Sequence, residues 1–296
     1  MEVTQKRRRG DRKDGILLRD LDALHAFTPY LYPNRTDNEA FIRDEIDLTA
    51  IDAYLAKKNA NNPEMAYKVF HVLLAAVIRT VTLRPKMNRF IQGFRMYQRR
   101  WLTAAFVVKK QFNDEAQEAL AYLTFGDKDN IDSIHDRILE EIKTCRSDVL
   151  DNSTAGMDML TKLPRLVLRF IMWLLHRLDF YGRVPNFLIK TDPNYASVFF
   201  SNLGSIKLQA GYHHLCNWGT NSVFITIGAI KKRPVFQPDG TYEMRNTMEI
   251  GLTVDERIAD GYYYSGTVRL LKYLMTHPEL LEQTSDTPVN MDPVHV

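Results

Sequence analysis

A run of charged residues near the C-terminus follows a stretch that is typical of a β-strand. The stretch is Met248 to Val254, and the seven residues Asp255 to Gly261 that follow it read DERIADG. A strand that ends in such residues presents them at the edge of a sheet, where functional groups are commonly placed. Glu256 could take a proton as a general base. Gly261 allows the turn into a following helix.

Two further segments carry a hydroxyl and two imidazoles. Ser201 supplies the hydroxyl and opens the sequence Ser-Asn-Leu-Gly, which by itself is typical of a plain turn. His213 and His214 follow twelve and thirteen residues later and could supply a base, with a structural role as the simpler alternative. Adjacent histidines also suggest a metal site. No carboxylate or cysteine pair stands beside them at ligand spacing, so we expect no metal.

Three blocks of sequence resemble, in the same order, the acyltransferase catalytic domain of 2-oxoacid dehydrogenase complexes, which shares a fold with chloramphenicol acetyltransferase. The first block is FFSNLG at Phe199 to Gly204, and the second runs from Ile227 to Gly240. The third begins with the heptad at Asp255 and ends in a helix near Leu281. The family's heptad is Asp-His-Arg-x-x-Asp-Gly, so Glu256 stands where the family has its catalytic His. The resemblance implies an α+β fold, a chloramphenicol acetyltransferase-like mixed sheet flanked by helices.

The resemblance also implies an activity and an assembly. In the family, the active site lies between subunits of a trimer, where the His of one subunit meets a hydroxyl of its neighbour, and acyl-CoA and the acceptor enter from opposite ends of a channel. Ser201 matches that hydroxyl, and Asp260 matches an Asp that shapes the loop by pairing with an Arg. We therefore expect a homotrimer that uses acyl-CoA or another acyl-thioester as co-substrate and transfers its acyl group to a small-molecule acceptor. No lipoyl domain is present in the chain.

The glutamate at the position of the family's His leaves the activity open. Glutamate is a weaker base than histidine by about two pKa units, roughly a hundredfold in rate. Burial raises the pKa of a glutamate and so narrows its difference from histidine. If His214 or His213 acts as the base instead, the weak basicity of Glu256 does not limit the rate. Alternatively catalysis is lost, and Glu256 forms a solvated ion pair with Arg257 or Arg245. Two hypotheses follow: an acyltransferase, and a non-catalytic trimeric binding or scaffold protein of the same fold.

Apolar periodicity predicts the elements that position these residues. In the first half we expect a connecting arm at Gly15–Pro33, a strand at Phe41–Leu48 before a helix capped by Thr49, a helix at Met65–Leu83, a hairpin of Arg89–Tyr97 with Trp101–Lys110, and a helix at Ile131–Val149. In the second half we expect strands at Ala196–Phe200, Val223–Ile230, Val235–Phe236 and Glu243–Val254, with a turn at Pro238 to Gly240.

The stretch from Met157 to Phe180 is rich in leucine, phenylalanine and tryptophan. Arg165, Arg169 and Arg177 interrupt it, so it does not meet the requirement of about 20 nearly uncharged residues for a membrane span. We interpret it as an amphipathic core helix that is additional to the family's fold. The alternatives are peripheral contact with a membrane and packing against another subunit.

Length and composition indicate a globular chain, with 296 residues, 45% hydrophobic content and a net charge of +3. The basic excess lies largely in residues 1–14, which we predict to be a disordered tail ahead of one acyltransferase-like domain at 15–296. We do not expect nucleic-acid binding. Two cysteines and a basic start without an apolar signal favour a cytoplasmic location.

Overall fold

A computed structural model describes residues 7–60, 64–109, 118–146 and 160–291 of the chain. Its main element is a seven-stranded mixed sheet, in the order β2-β10-β8-β7-β5-β6 with β9 paired to β10. Strands β5, β7 and β8 are parallel to one another, and the other neighbours are antiparallel. The strands of this sheet are β2 (Glu39–Asp47), β5 (Leu102–Lys109), β6 (Glu118–Phe125), β7 (Val198–Asn202), β8 (Val223–Ile227), β9 (Lys231–Phe236) and β10 (Tyr242–Asp255).

A smaller sheet and seven helices complete the architecture of the described residues. The small antiparallel sheet has the order β1-β4-β3, with β1 (Gly15–Leu17), β3 (Arg89–Gln92) and β4 (Arg95–Arg99). The helices are α1 (Ala23–Leu31), α2 (Thr49–Asn59), α3 (Val69–Leu83), α4 (Ile131–Arg146), α5 (Arg165–Phe180), α6 (Asn186–Thr191) and α7 (Gly261–Thr276). The mixture of helices with a mixed sheet confirms the predicted α+β class.

The two faces of the large sheet pack differently. Side chains alternate along a strand, so Phe200 of β7 and Phe106 of β5 project to one face. Both rings contact Phe70 of α3, at centroid distances of 6.1 and 5.3 Å. This face forms the main core with α3 and α7. The opposite face carries Phe199 and Ser201, and we call it the outer face.

Several predicted elements are confirmed in type. β2, α2, α3, α4, β7, β8, β9 and β10 all occur where the periodicity placed them. The predicted turn at Pro238 to Gly240 is also present. Gly240 there has a φ of 84°, in the left-handed region that favours glycine. α3 begins at Val69, four residues after the predicted start, and Thr49 is the first residue of α2 rather than its cap. The part of the predicted fourth helix beyond residue 146 lies outside the described residues.

The predicted pairing of the central hairpin is wrong. The hairpin is formed by β3 and β4, both inside the stretch that was predicted as one strand. The next strand, β5, joins the other sheet, between β6 and β7. A glycine with a φ of 58°, Gly93, makes the turn between β3 and β4. Strand β6 was not predicted.

The N-terminal segment is folded where the sequence predicted a tail and an arm. Arg12 is 2% exposed and forms ion pairs with Asp14 at 2.8 Å and with Asp179 at 2.9 Å. The predicted disordered tail is therefore wrong for its last residues, because a buried carboxylate in α5 holds Arg12 in place. The arm contains β1 and α1, and α1 includes Pro29.

Helix α5 occupies the second part of the apolar stretch, and residues 147–159 lie outside the described part. The described residues include no helix of sufficient length and apolar character to cross a bilayer. The interpretation as a core helix is wrong. Phe170 and Trp173 are 61% and 58% exposed, and Asp179 is the one buried residue of the helix, so one apolar side of α5 faces outward.

Candidate active site

Ser201 lies near the end of β7 on the outer face, half-buried. Its register partner on β8 is Thr226, whose partner on β10 is Gly251. The three residues form a row across the sheet. Their small side chains leave room for a loop to pack directly above the strands. This row is where a hydroxyl on β7 could reach a molecule bound on the outer face.

A loop of residues 207–217 passes over this row. The Thr226 hydroxyl donates hydrogen bonds to the carbonyls of Gly211 and Gly251, and a side chain at Gly251 would collide with the Gly211 carbonyl. The Tyr212 ring packs at 5.1 Å from the ring of Phe41 on β2. These contacts hold the loop against the outer face and explain the glycine on β10.

His213, in this loop, is positioned as a proton acceptor. Its ring lies parallel to Phe224 of β8 at 4.2 Å, with an angle of 7° between the planes. Its Nδ1 is 2.8 Å from the carbonyl oxygen of His214. A carbonyl only accepts, so Nδ1 must carry a hydrogen, and in the neutral ring with that hydrogen Nε2 has the free lone pair. Strand geometry places the Cα of Phe224 roughly 8 Å from that of Ser201.

The two histidines are therefore not equivalent. Both are exposed, and their rings lie 4.7 Å apart. His214 contributes its carbonyl to the orientation of His213, whereas His213 alone is stacked on the sheet. In the described ranges, no three His, Cys, Asp or Glu side chains are grouped so that they could hold a metal ion.

Glu256 is exposed in a short 3-10 turn that follows β10. Its backbone N–H donates to the carbonyl of Asn38 at 2.9 Å. The ion pairs considered for it are not formed, because Arg257 pairs with Asp255 at 2.7 Å and Arg245 pairs with Asp47 at 2.7 Å. A single chain thus gives the Glu256 carboxylate no burial and no cationic partner among the described residues.

Asp255 fixes the conformation of this loop, a role that was not predicted from the sequence. It is fully buried and accepts hydrogen bonds from Arg257 Nε at 2.8 Å and Nη2 at 2.7 Å. Arg257 Nη1 also donates to the carbonyl of Tyr32 at 2.7 Å, which ties the loop to the end of α1. Arg35 Nε lies 3.7 Å from Asp255. The position of Arg257 two residues after Asp255 was the feature of the sequence that could have indicated this ion pair.

Asp260 does not have the arginine partner that the resemblance implies. It is exposed and caps α7, accepting a hydrogen bond from the backbone N–H of Tyr263 at 2.8 Å. That bond lowers the pKa of Asp260. Its nearest cation is a lysine, Lys86, at 3.8 Å. The pairing with arginine predicted for Asp260 is instead made by Asp255.

One chain does not bring Glu256 to Ser201. Glu256 lies five residues beyond Gly251 along β10, and Gly251 is two strands away from Ser201. At about 3.3 Å per residue and 4.8 Å per strand, their Cα atoms are roughly 19 Å apart. Of the predicted site residues, the structure brings Ser201 and His213 to one face and leaves Glu256 and Asp260 at another edge.

The largest cleft that we describe also opens on the outer face, at the β5–β6 edge. Its volume is about 530 Å³, and Thr103, Tyr122 and Lys190 are among its lining residues. Alternation along β5 and β6 places Thr103 and Tyr122 on the same face as Phe199. Neither this cleft nor the two smaller ones is lined by Ser201 or His213. The loop of residues 207–217 covers Thr226 and Gly251, which are buried, whereas Ser201 is half-buried and His213 is exposed.

Comparison with known families matches part of this chain. Residues 191–282 match the model of the 2-oxoacid dehydrogenases acyltransferase catalytic domain. The matched stretch contains all five predicted site residues: Ser201, His213, His214, Glu256 and Asp260. A search of curated proteins found no match to the chain.

Solved structures of acyltransferases are similar over most of the chain. Dihydrolipoamide acetyltransferase of Azotobacter vinelandii has 14% identity and a TM-score of 0.58, covering 88% of each chain. A catalytic core of the 2-oxoacid dehydrogenase multienzyme complex of Thermoplasma acidophilum has 14% identity and a TM-score of 0.55, covering 89% of this chain and 99% of that one. A chloramphenicol acetyltransferase has 13% identity and a TM-score of 0.50, with 89% and 98% coverage.

These similarities establish the fold. The chain has the architecture shared by chloramphenicol acetyltransferase and the acyltransferase cores of 2-oxoacid dehydrogenase complexes, as the three sequence blocks predicted.

Proposed function

We propose that the protein transfers an acyl group from acyl-CoA, or another acyl-thioester, to a small acceptor on the outer face of its sheet. The observation that carries the proposal is the position of Ser201 and His213. The two residues lie in the segment that matches the acyltransferase model and share one sheet face, where the His213 ring stacks on Phe224, the residue whose Cα is roughly 8 Å from that of Ser201. The chemical class of the acceptor is an amine, alcohol or thiol.

The reaction needs one base and one oxyanion donor. His213 Nε2 takes the proton from the acceptor as its heteroatom attacks the thioester carbonyl and forms the new bond. The carbonyl oxygen becomes an oxyanion, which the Ser201 hydroxyl hydrogen-bonds. Collapse of the tetrahedral intermediate breaks the C–S bond, and the leaving thiolate takes the proton from His213. The gap between the imidazole and the hydroxyl is where the carbonyl carbon and the attacking atom would sit.

We propose a homotrimer as the functional form. Because His213 is exposed and Ser201 is only half-buried in one chain, a second copy is needed to exclude water from them. Glu256 of a neighbouring copy is the base that the family resemblance implies, and the same neighbour would have to supply its burial. We favour His213 because one chain already orients it. A cytoplasmic location suits a chain with two cysteines, Cys145 and Cys216.

The test is a turnover screen with the purified chain. Acetyl-CoA and longer acyl-CoAs are supplied with panels of amines, alcohols and thiols, and thiol release is measured with a disulfide reagent. We expect turnover with at least one acceptor. Ser201→Ala should lower kcat about 10²–10³-fold, as loss of an oxyanion donor does. Glu256→Gln should leave kcat close to that of the unaltered chain.

The second candidate function is a non-catalytic trimeric binding or scaffold protein of the same fold. The observation in its favour is Glu256, which is exposed where the family has its catalytic His. A trimer by light scattering, without acyl-CoA binding in calorimetry and without turnover in the screen, would support this alternative and contradict acyl transfer.

A further inference from the structure

Helix α5 presents large apolar side chains to the outside of the chain. Leu166, Phe170 and Trp173 recur at steps of four and three residues and are 76%, 61% and 58% exposed. Val167 and Leu174 beside them are also exposed. An ordinary surface helix buries this stripe. Here the stripe forms a contiguous apolar band along an outward-facing helix.

The orientation of α5 is fixed by a buried charge. Asp179, near its C-terminal end, is fully buried, pairs with Arg12 at 2.9 Å and accepts a hydrogen bond from Gln92 at 2.5 Å. Rotating the helix to bury Trp173 would draw Asp179 out of this network and leave the Arg12 charge buried without it. The outward position of the apolar band is therefore part of the folded structure.

Aromatic rings extend the band beyond the helix. The Phe180 ring lies 5.5 Å from that of Phe94 and 5.1 Å from that of Tyr181. Phe94 in turn stacks on Tyr30 of α1 at 5.2 Å. Tyr181 and Tyr30 are exposed, so the apolar surface continues from α5 across the β3–β4 turn to α1.

The charge around the band is of one sign. Residues 160–191 contain six lysines and arginines, and the buried Asp179 is their single acidic residue. Arg165 and Arg169 follow one edge of the band, and Arg177 lies at its C-terminal end, all three exposed. Two copies of this face would place arginines against arginines, which disfavours self-pairing. The surface that complements it is anionic and apolar.

We propose that α5 binds in the plane of a membrane surface that contains anionic lipid. An apolar band with tryptophan and phenylalanine, bordered by arginines, is the pattern of interfacial helices. Trp173 would lie at the level of the headgroups, and the three arginines would contact lipid phosphates and carboxylates. The 16 residues of α5 lie along the surface for about 24 Å. This contact is separate from acyl transfer and brings the protein to a bilayer.

The test is co-sedimentation of the full chain with vesicles. Vesicles of phosphatidylcholine with about 30% phosphatidylserine are compared with pure phosphatidylcholine, at low and high salt. We expect binding to the anionic vesicles, a blue shift of tryptophan emission that Trp173→Phe removes, and release at high salt. The triple variant R165Q/R169Q/R177Q should bind on the order of a hundredfold more weakly, since each cation near such a surface contributes about fivefold.

Two matched control variants remove cations, or one apolar side chain, at exposed sites outside α5. K57Q/K143Q/K232Q makes the same charge change at exposed sites away from α5, and Phe236→Ser replaces an exposed phenylalanine on β9. Both should bind as the unaltered chain does, whereas Phe170→Ser should bind at least about tenfold more weakly. Equal binding by the R165Q/R169Q/R177Q variant, or no binding to anionic vesicles, would overturn the proposal. So would an oligomer that Trp173→Ser dissociates without any vesicle binding, because a second copy would then cover the band.

Discussion

At the scale of single residues, the account depends on one imidazole. His213 has a partner for Nδ1, a flat aromatic surface beneath its ring and an unassigned Nε2. The Glu256 carboxylate has neither burial nor a cationic partner among the residues that the structure describes. A base must be held in orientation as well as have a suitable pKa, because proton transfer needs hydrogen-bond geometry. This distinction was not visible in the sequence, where the two histidines are neighbours of equal standing.

The role of His213 is tested by His213→Asn. The asparagine amide can still donate to the His214 carbonyl, so the loop is kept while the ring nitrogen that acts as the base is lost. We expect kcat for acyl transfer to fall by about 10²–10⁴-fold, the usual contribution of a general base. His214→Asn is the matched control and should stay near the unaltered rate. A greater loss with His214→Asn would contradict the assignment.

The loop that carries Glu256 depends on a buried ion pair. Arg257→Leu would leave the carboxylate of Asp255 buried without its closest cation, and we expect the free energy of unfolding to fall by about 3–5 kcal/mol. Arg245→Leu removes partly exposed pairs with Asp47 and Glu243, and should cost at most about 1 kcal/mol. Urea denaturation of both variants measures the difference. Similar losses would show that Asp255 does not hold the loop.

At the scale of elements, a pair of buried histidines joins α3 to α4. His71 is 3% exposed, and its Nδ1 accepts a hydrogen bond from the backbone N–H of Lys68 at 2.9 Å. Its ring contacts that of His135 on α4, with centroids 4.7 Å apart. Burial, together with the neighbouring His135, lowers the pKa of His71 to about 3. The helix interface is therefore built for a neutral imidazole.

This interface should weaken in acid. An unfolded histidine has a pKa of about 6.5. Below that pH the unfolded chain binds a proton at this histidine, whereas folded His71 stays neutral until the pH approaches 3. Stability is then lost as the pH falls from about 6.5 towards 3, at up to about 1.4 kcal/mol per pH unit. In urea titrations, His71→Asn should remove this part of the slope between pH 6.5 and 5. Parallel curves for the variant and the unaltered chain would contradict the assignment.

Sequence periodicity predicted the elements that have a regular pattern of apolar residues or clear turn signals at their ends. α3 is apolar at steps of three and four residues, and β8 and β10 are β-type runs bounded by turns, so their types were predicted correctly. The partner of β5 was not predictable, because the choice between β4 and β7 is made by long-range pairing. The outward face of α5 was also hidden, since the same pattern fits a buried helix and an interfacial one.

The candidate site was predictable in part. The resemblance carried by three sequence blocks gave the fold and drew attention to Ser201, and the comparisons bear out that resemblance. The roles assigned to Ser201, His213 and Glu256 stay predictions. The sequence missed the buried pairing of Asp255, because only the fold shows that Asp255 points inward and Glu256 outward.

At the scale of the whole molecule, two surfaces of the single chain call for partners. On the outer face of the large sheet, His213 is exposed and Ser201 is half-buried, and we propose that other copies of the chain cover them. The apolar band of α5 is basic, and we propose that a membrane surface covers it. The two surfaces have different chemistry, so assembly and membrane binding should be separable by mutation.

The most direct measurement is a subunit-mixing assay of acyl transfer. Ser201→Ala and His213→Asn chains are unfolded together, refolded into mixed trimers, and compared with each variant refolded alone. If Ser201 and His213 of one chain form the site, every site in the mixture still lacks one group, and the mixed trimers should be no more active than their parents. Recovery to about a quarter of the unaltered activity would place the two groups on different copies and contradict the account.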